Sequence, residues 1–180
     1  MERFSIVEAN LGDFDAVKSL MLTALQTDPT AFSYAYSDYA NNSNMWWQNY
    51  LYGYLTQANA KLYVAQFDSK VVGMVGILLD SKNRRKHVGS IVWFYVSPDY
   101  RKYGLGQNLL KTVIDYAYSL KTIKKLTLLV NATQNKALGL YKGLGFEIVG
   151  TLKSELLVNG EYIDEYVMEK FLWIKRLELG

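Results

Sequence analysis

Hydrophobic positions along the chain change period repeatedly, and each change predicts a new element. "RFSIVEA" (3–9) alternates apolar and polar residues as a strand does. "NLGDFDAVKSLMLTALQT" (10–27) then switches to helical spacing. Phe14, Val17, Leu20, Met21, Ala24 and Leu25 share one face, with acidic residues in the first turn. Asp28-Pro29 ends that helix, because proline disfavours the helical conformation in the residue before it. Residues 30–57 are aromatic-rich and partly helical. "KLYVAQFD" (61–68) and "VVGMVGILLD" (71–80) read as strands joined by a tight hairpin at "SK". "HVGSIVWFYV" (87–96) is almost wholly apolar towards its end, as a central strand would be.

Further along, Leu105, Leu109, Val113, Ile114, Ala117 and Leu120 form one apolar stripe of a helix. "KLTLLVN" (125–131) is a buried strand, "NKALGLYKGL" (135–144) a short helix and "GFEIVGTLKSELLV" (145–158) another strand. Asn159-Gly160 is a strong two-residue hairpin signal leading into "EYIDEYVMEKFL" (161–172) as the final strand. The order β-α-(α)-β-β-β-α-β-α-β-β predicts an α/β fold, a sheet covered by helices on both faces. No repeat, low-complexity tract or linker interrupts it, so residues 1–180 are expected to form a single domain.

Composition narrows the chemistry more than the fold. The net charge of +3 is small. "KNRRKH" (82–87) and "KTIKK" (121–125) are short enough to be solvated loops or helix ends, which argues against a nucleic-acid partner. The chain has no cysteine, which excludes disulfides, thiolate metal sites and a cysteine acyl-enzyme. It has one histidine, His87, so His-cluster metal sites are excluded too, and no G-x-S-x-G elbow accompanies that residue. The N-terminal stretch lacks an apolar signal region. The apolar run "VVGMVGILL" (71–79) is about half the roughly 20 residues a bilayer requires. A cytoplasmic protein without a membrane partner is the expectation.

Between strand and helix, "VSPDYRKYGLGQNLL" (96–110) has the glycine spacing of a phosphate loop. A nucleoside-triphosphate loop needs G-x-x-x-x-G-K-[ST], but Gln107 and Asn108 follow Gly106. A dinucleotide fingerprint needs a third glycine where Leu109 stands, and an acidic residue near the end of the next strand, which is Asn131. The pattern [RQ]-x-x-G-x-[GA] does fit Arg101-Lys102-Tyr103-Gly104-Leu105-Gly106. Its glycines let several backbone N–H groups converge on one anion at a helix N-terminus, with Arg101 and Lys102 supplying charge. The alternative is a strand-to-helix turn whose glycines serve packing.

"LLVNATQNKALGLYKGLGFEIVG" (128–150) adds a second motif: a strand, then A-x-x-L-Y-x-x-x-G-F. Together with "VSPDYRKYGLG" and the closing hairpin, it makes almost the whole chain resemble the GCN5-related N-acetyltransferases (the GNAT superfamily). The resemblance implies a mixed, mostly antiparallel sheet with strands 4 and 5 parallel and splayed. The pantetheine arm of acetyl-CoA would enter between the strands ending at Val96 and Asn131. Backbone groups of Phe94, Tyr95 and Val96 would pair with pantetheine, and the N–H groups of Lys102, Tyr103, Gly104, Leu105, Gly106 and Gln107 would grip the pyrophosphate. Tyr141 matches the family's general acid, and a backbone N–H at Val96 would stabilise the oxyanion. No metal is implied.

The chain departs from the family pattern in two places. The family's asparagine three residues before the alanine is Gln134 here, with Asn135 next, so the cofactor contact falls to one of these two. "GSIVWFYVS" (89–97) carries no carboxylate to act as base, which leaves a water chain or a carboxylate elsewhere, such as Asp80 or Asp38. Residues 31–55 hold nine aromatics in 25 positions. Either they line a pocket for an amine or cation, or Trp46, Tyr50 and Tyr54 pack on the sheet or on a second copy in a homodimer; Trp47 and Tyr36 are the substitutions chosen to distinguish these. The expected activity is acetyl transfer to a primary amine: a polyamine or other small amine, an amino acid, an amine-bearing antibiotic or a protein N-terminus. The alternative is an acetyl-CoA sensor without turnover.

Overall fold

A computed structural model describes residues 4–172. Its strands are β1 (Phe4–Glu8), β2 (Ala60–Phe67), β3 (Lys70–Leu79), β4 (Val88–Val96), β5 (Lys125–Asn131), β6 (Glu147–Val158) and β7 (Glu161–Phe171). The helices are α1 (Phe14–Thr27), α2 (Tyr36–Ala40), α3 (Asn44–Thr56), α4 (Leu105–Ser119) and α5 (Asn135–Gly143). Arg3, placed in the first strand from its sequence pattern, lies outside the described residues. The hairpin between β2 and β3 turns on Asp68 and Ser69, one residue earlier than "SK" suggested. Both turn residues have positive φ, 45° and 69°, and aspartate tolerates that conformation better than lysine does.

The seven strands lie in the order β1-β2-β3-β4-β5-β7-β6, so β4 is the central strand as its apolar run indicated. All neighbours are antiparallel except β4 and β5, which run parallel. The β6–β7 hairpin docks with β7 inward, against β5, and leaves β6 at the edge.

Each face of the sheet has its own core. On one side Val17, Met21 and Leu25 of α1 join Trp47 and Leu51 of α3 over Leu62, Val64 and Met74. On the other, Leu109, Leu110 and Val113 of α4, with Leu138 and Tyr141 of α5, cover Leu126, Leu128 and Met168. Burying one leucine or valine contributes about 1.5–3 kcal/mol. A single α4 leucine therefore offsets the roughly 1–2 kcal/mol of a left-handed non-glycine residue in the loop before that helix.

Two irregularities interrupt the ladders. In β4, Met74 pairs with Tyr95 and Gly76 with Val92, so Trp93 and Phe94 together oppose Val75. This bulge holds Trp93 at a φ of 52° and re-aims the end of the strand. In β6 the register slips between Leu152 and Leu156. There the Asp164 carboxylate accepts hydrogen bonds from the Ser154 N–H at 2.8 Å and the Lys153 ammonium at 2.7 Å.

Candidate active site

The parallel strands β4 and β5 hold each other only at Val88–Lys125, Gly89–Leu126 and Ser90–Thr127. Beyond those pairs no ladder joins their facing edges over the second half of each strand. Ser97 donates its N–H to the Val72 carbonyl on β3 at 2.8 Å. Since N–H groups alternate sides along a strand, the Val96 amide turns away from β3 and towards the gap. A cleft of about 360 Å³ opens there, lined by Trp93 and Phe94 from β4, Leu128 from β5, Tyr141 from α5 and Glu165 from β7.

At the C-terminal end of β4 the chain runs through a short 3-10 turn, Pro98–Tyr100, into the glycine loop. Lys102 and Gly104 have φ of 74° and 76°, a local geometry that turns successive N–H groups to one side. None of the N–H groups from Lys102 to Gln107 has a backbone carbonyl partner outside α4 among the described residues, and the first N–H groups of a helix have none within it. The result is a nest of N–H groups at a helix N-terminus, a donor set that fits an anion. The two glycines do different jobs. A side chain at Gly104 would meet nothing within 4 Å, so positive φ is its reason. A Cβ at Gly106 would sit 3.1 Å from the Phe94 ring and 3.4 Å from Leu140, so packing is the reason there.

Arg101 is engaged structurally. Its Nε donates to the Val96 carbonyl at 2.8 Å and its Nη2 to Asp28 at 2.6 Å, with the guanidinium 5.7 Å from the Tyr95 ring centre. The Tyr95 hydroxyl in turn shares a 2.8 Å hydrogen bond with Thr27. These contacts fasten the end of α1 to the end of β4. A second clamp comes from the other strand. Asn131, 1% exposed, donates to the Thr30 carbonyl at 2.8 Å, and Gln134 donates to the Thr30 hydroxyl at 2.9 Å. Both clamps hold residues 28–34 over the cleft, which brings Phe32 and Tyr34 to its wall.

Tyr141 is buried, with the Phe94 ring 5.8 Å away and the Phe146 ring 6.0 Å away. Burial raises its pKa, so the phenol stays protonated far above neutral pH. Across the cleft, Trp93 stacks against Tyr34 at 6.2 Å and donates its indole N–H to the Tyr50 hydroxyl at 2.8 Å. Tyr39 also donates to Tyr50, at 3.3 Å. The nine-aromatic segment thus divides its labour. Trp47 is fully buried core and Tyr36 lies at the surface, while Phe32, Tyr34, Tyr50 and Tyr54 line the cleft.

The Acetyltransferase (GNAT) family model matches residues 21–146. The chain belongs to the GNAT family. The spermidine N(1)-acetyltransferase of Escherichia coli (strain K12) is 30% identical over 100 residues, 56% of this chain and 52% of that protein. The chain therefore spans about half the length of that curated relative. The L-amino acid N-acetyltransferase AaaT of the same strain is 33% identical over 110 residues, 61% of this chain and 67% of that protein. Among solved structures, a GNAT acetyltransferase from Streptococcus pneumoniae superposes with a TM-score of 0.83 at 26% identity, covering 94% of this chain and 99% of that one. A Vibrio cholerae spermidine N-acetyltransferase, solved with CoA and spermine, superposes at 0.75 with 18% identity over 95% and 96% of the two chains, a likeness of fold.

Of the residues expected to bind acetyl-CoA, Phe94 lines the cleft, and the others lie at the end of β4, in the loop after it and at the start of α5. Phe94 to Val96 form the free end of β4, Lys102 to Gln107 the nest, and Gln134 and Asn135 stand where α5 begins. Neither aspartate considered as a base reaches the cleft. Asp80 pairs with Arg85 at 2.6 Å in the loop after β3, and Asp38 accepts from the Ala35 N–H at 2.8 Å at the start of α2. The carboxylate at the site is Glu165, which the sequence pattern did not single out. It is 4% exposed and sits opposite Asn131 in the β5–β7 ladder. Its carboxylate has no hydrogen bond or ion pair among the described residues. Burial, reinforced by Glu155, raises its pKa.

Proposed function

We propose that this GNAT chain transfers the acetyl group of acetyl-CoA to a primary amine by direct attack, with acetyl-CoA as co-substrate and no metal. The observation that carries the reading is the parting of β4 and β5 beyond Ser90 and Thr127, with free N–H groups at the mouth and Tyr141 inside. Pantetheine would lie along the free edge of β4 as an added strand beside Phe94, Tyr95 and Val96. Its pyrophosphate would sit on the N–H groups of Lys102 to Gln107. Gln134 is already tied to Thr30, which leaves Asn135 as the side chain available to the cofactor.

The chemistry follows from the groups in place. The amine nitrogen attacks the thioester carbonyl, its new C–N bond forms, and the negative charge on oxygen is met by the Val96 N–H. The C–S bond then breaks. A thiol has a pKa near 8.5 and Tyr141 donates its proton to the departing sulfur, regaining one from the amine nitrogen through solvent. A phenol with a raised pKa is a weak acid, so Tyr141 gives up its proton only as the sulfur gains charge with C–S cleavage, and reprotonation from the positively charged amine nitrogen leaves no anion on the ring. The reading carries a cytoplasmic location with it; no helix of the described residues is long and apolar enough to cross a membrane.

Thiol release from acetyl-CoA, measured across amines, amino acids and N-terminal peptides, tests the reading. Tyr141→Phe keeps the ring and is expected to lower kcat by roughly 10²-fold with little change in KM. Acetyl-CoA binding without turnover of any acceptor would establish a sensor instead.

A further inference from the structure

Glu165 is the one charged side chain lining the cleft among the described residues, and no lysine, arginine or histidine lines it with Glu165. It is 96% buried by its 4% exposure, yet its carboxylate has no partner among the described residues. A buried, unpaired carboxylate is expensive, and structures retain such a group where a cationic ligand completes it. The rest of the cleft lining is rich in aromatics: Trp93 with Tyr34 stacked on it, and Tyr50 beside Tyr54. Ring faces attract a cation and repel a carboxylate. The volume, about 360 Å³, suits a small ligand rather than a bulky one.

We infer that Glu165 receives the ammonium group of the acceptor, and that the acceptor is a primary amine with no carboxylate beside its reacting nitrogen. This deepens the transferase reading and rests on it for the word acceptor, but the subsite is defined by Glu165 and the aromatic wall alone. An alkylamine, arylalkylamine or diamine meets the carboxylate through its ammonium and the rings through its remainder. A free α-amino acid brings a second carboxylate into a cleft that holds one already and whose lining offers no cation to balance it. Its class is disfavoured by that repulsion as much as by missing contacts. The distinction matters because the relatives at about 30% identity include enzymes named for both kinds of acceptor.

Binding calorimetry on the full chain saturated with CoA, which cannot acetylate, reads the subsite without chemistry. The probes are phenethylamine, 1,4-diaminobutane, phenylalanine and alanine. At least one of the two amines is expected to bind roughly tenfold or more tightly than either amino acid, as befits a charge-assisted contact. Glu165→Gln, which keeps the shape, should weaken that amine by roughly tenfold or more, and Glu165→Asp should restore part of the loss. CoA affinity should stay the same in both variants, which also verifies their fold. Amino acids binding as well as the amines, unchanged amine affinity in Glu165→Gln, or no amine binding to the parent chain would each overturn the inference. Thiol release is followed separately on the same proteins. Glu165-dependent amine binding with no turnover would remove the transferase reading and leave the subsite. Efficient turnover of amino acids would remove the subsite and leave the transferase.

Discussion

At the scale of single residues, the cleft is built from groups that carry a cost to the fold. Glu165 illustrates the balance. Unfolded, its carboxyl titrates near the ordinary value of about 4.3. Folded, burial and the neighbouring Glu155 raise that value. Between the two pKa values the folded chain holds more protons than the unfolded one, so stability falls as pH rises through that window. Above it the whole cost of the buried charge is present, and below the unfolded pKa it is absent. Glu165→Gln is therefore expected to melt above the parent chain at pH 8 and level with it near pH 3.5. Thermal unfolding at the two pH values checks this, and a gap of the same size at both would mean that something other than the charge is responsible. A residue that weakens the fold and improves it when neutralised is the behaviour expected of a binding group rather than of a packing group.

At the scale of elements, the loop between α1 and α2 depends on side chains far away in the sequence. Asn131 holds it through Thr30, and its own Oδ1 accepts from the Thr133 N–H and hydroxyl, both at 2.8 Å. Asn131→Ala leaves buried groups without partners, a loss of about 1–3 kcal/mol, or roughly 2–4 °C of Tm for each kcal/mol at this chain length. Amide exchange at residues 29–35 should quicken at the same time. Unchanged exchange there would show that the Arg101–Asp28 contact and the Gln134–Thr30 hydrogen bond hold the loop without Asn131. The elements themselves were readable: α1, α4, β5 and the Asn159-Gly160 hairpin all lie where periodicity and turn chemistry put them. The bulge at Trp93 was not, because "IVWFYV" (91–96) is apolar throughout and carries no break in period to mark an extra residue. Nor was the role of Glu165. Glutamates at 161, 165 and 169 alternate as a solvated strand face would, and a hairpin signal does not say which of its strands docks inward. Only the insertion of β7 beside β5 turns that position from edge to interior.

At the scale of the whole molecule, the sheet is two half-sheets joined by three residue pairs of one parallel ladder. α1 and α3 cover the first half on one face, while on the other the core under α4 and α5 runs beneath strands of both halves. A ligand that bridges the gap therefore joins halves that the backbone alone joins weakly. CoA binding should accordingly raise stability by RT ln(1 + [L]/Kd), about 2.7 kcal/mol at a hundredfold excess over Kd. The distribution of that gain is the sharper test. Amide hydrogen exchange with and without CoA should show new protection in two places, the N–H groups of residues 102–107 and the free end of β4 at residues 94–96. Strand pairs β1–β2 and β2–β3, already laddered along their length, should change little. Protection confined to residues 102–107 would mean that the nest holds the pyrophosphate while pantetheine lies outside the gap. Protection at neither place, with CoA bound, would move the cofactor to another surface and take Tyr141 out of reach of the thioester.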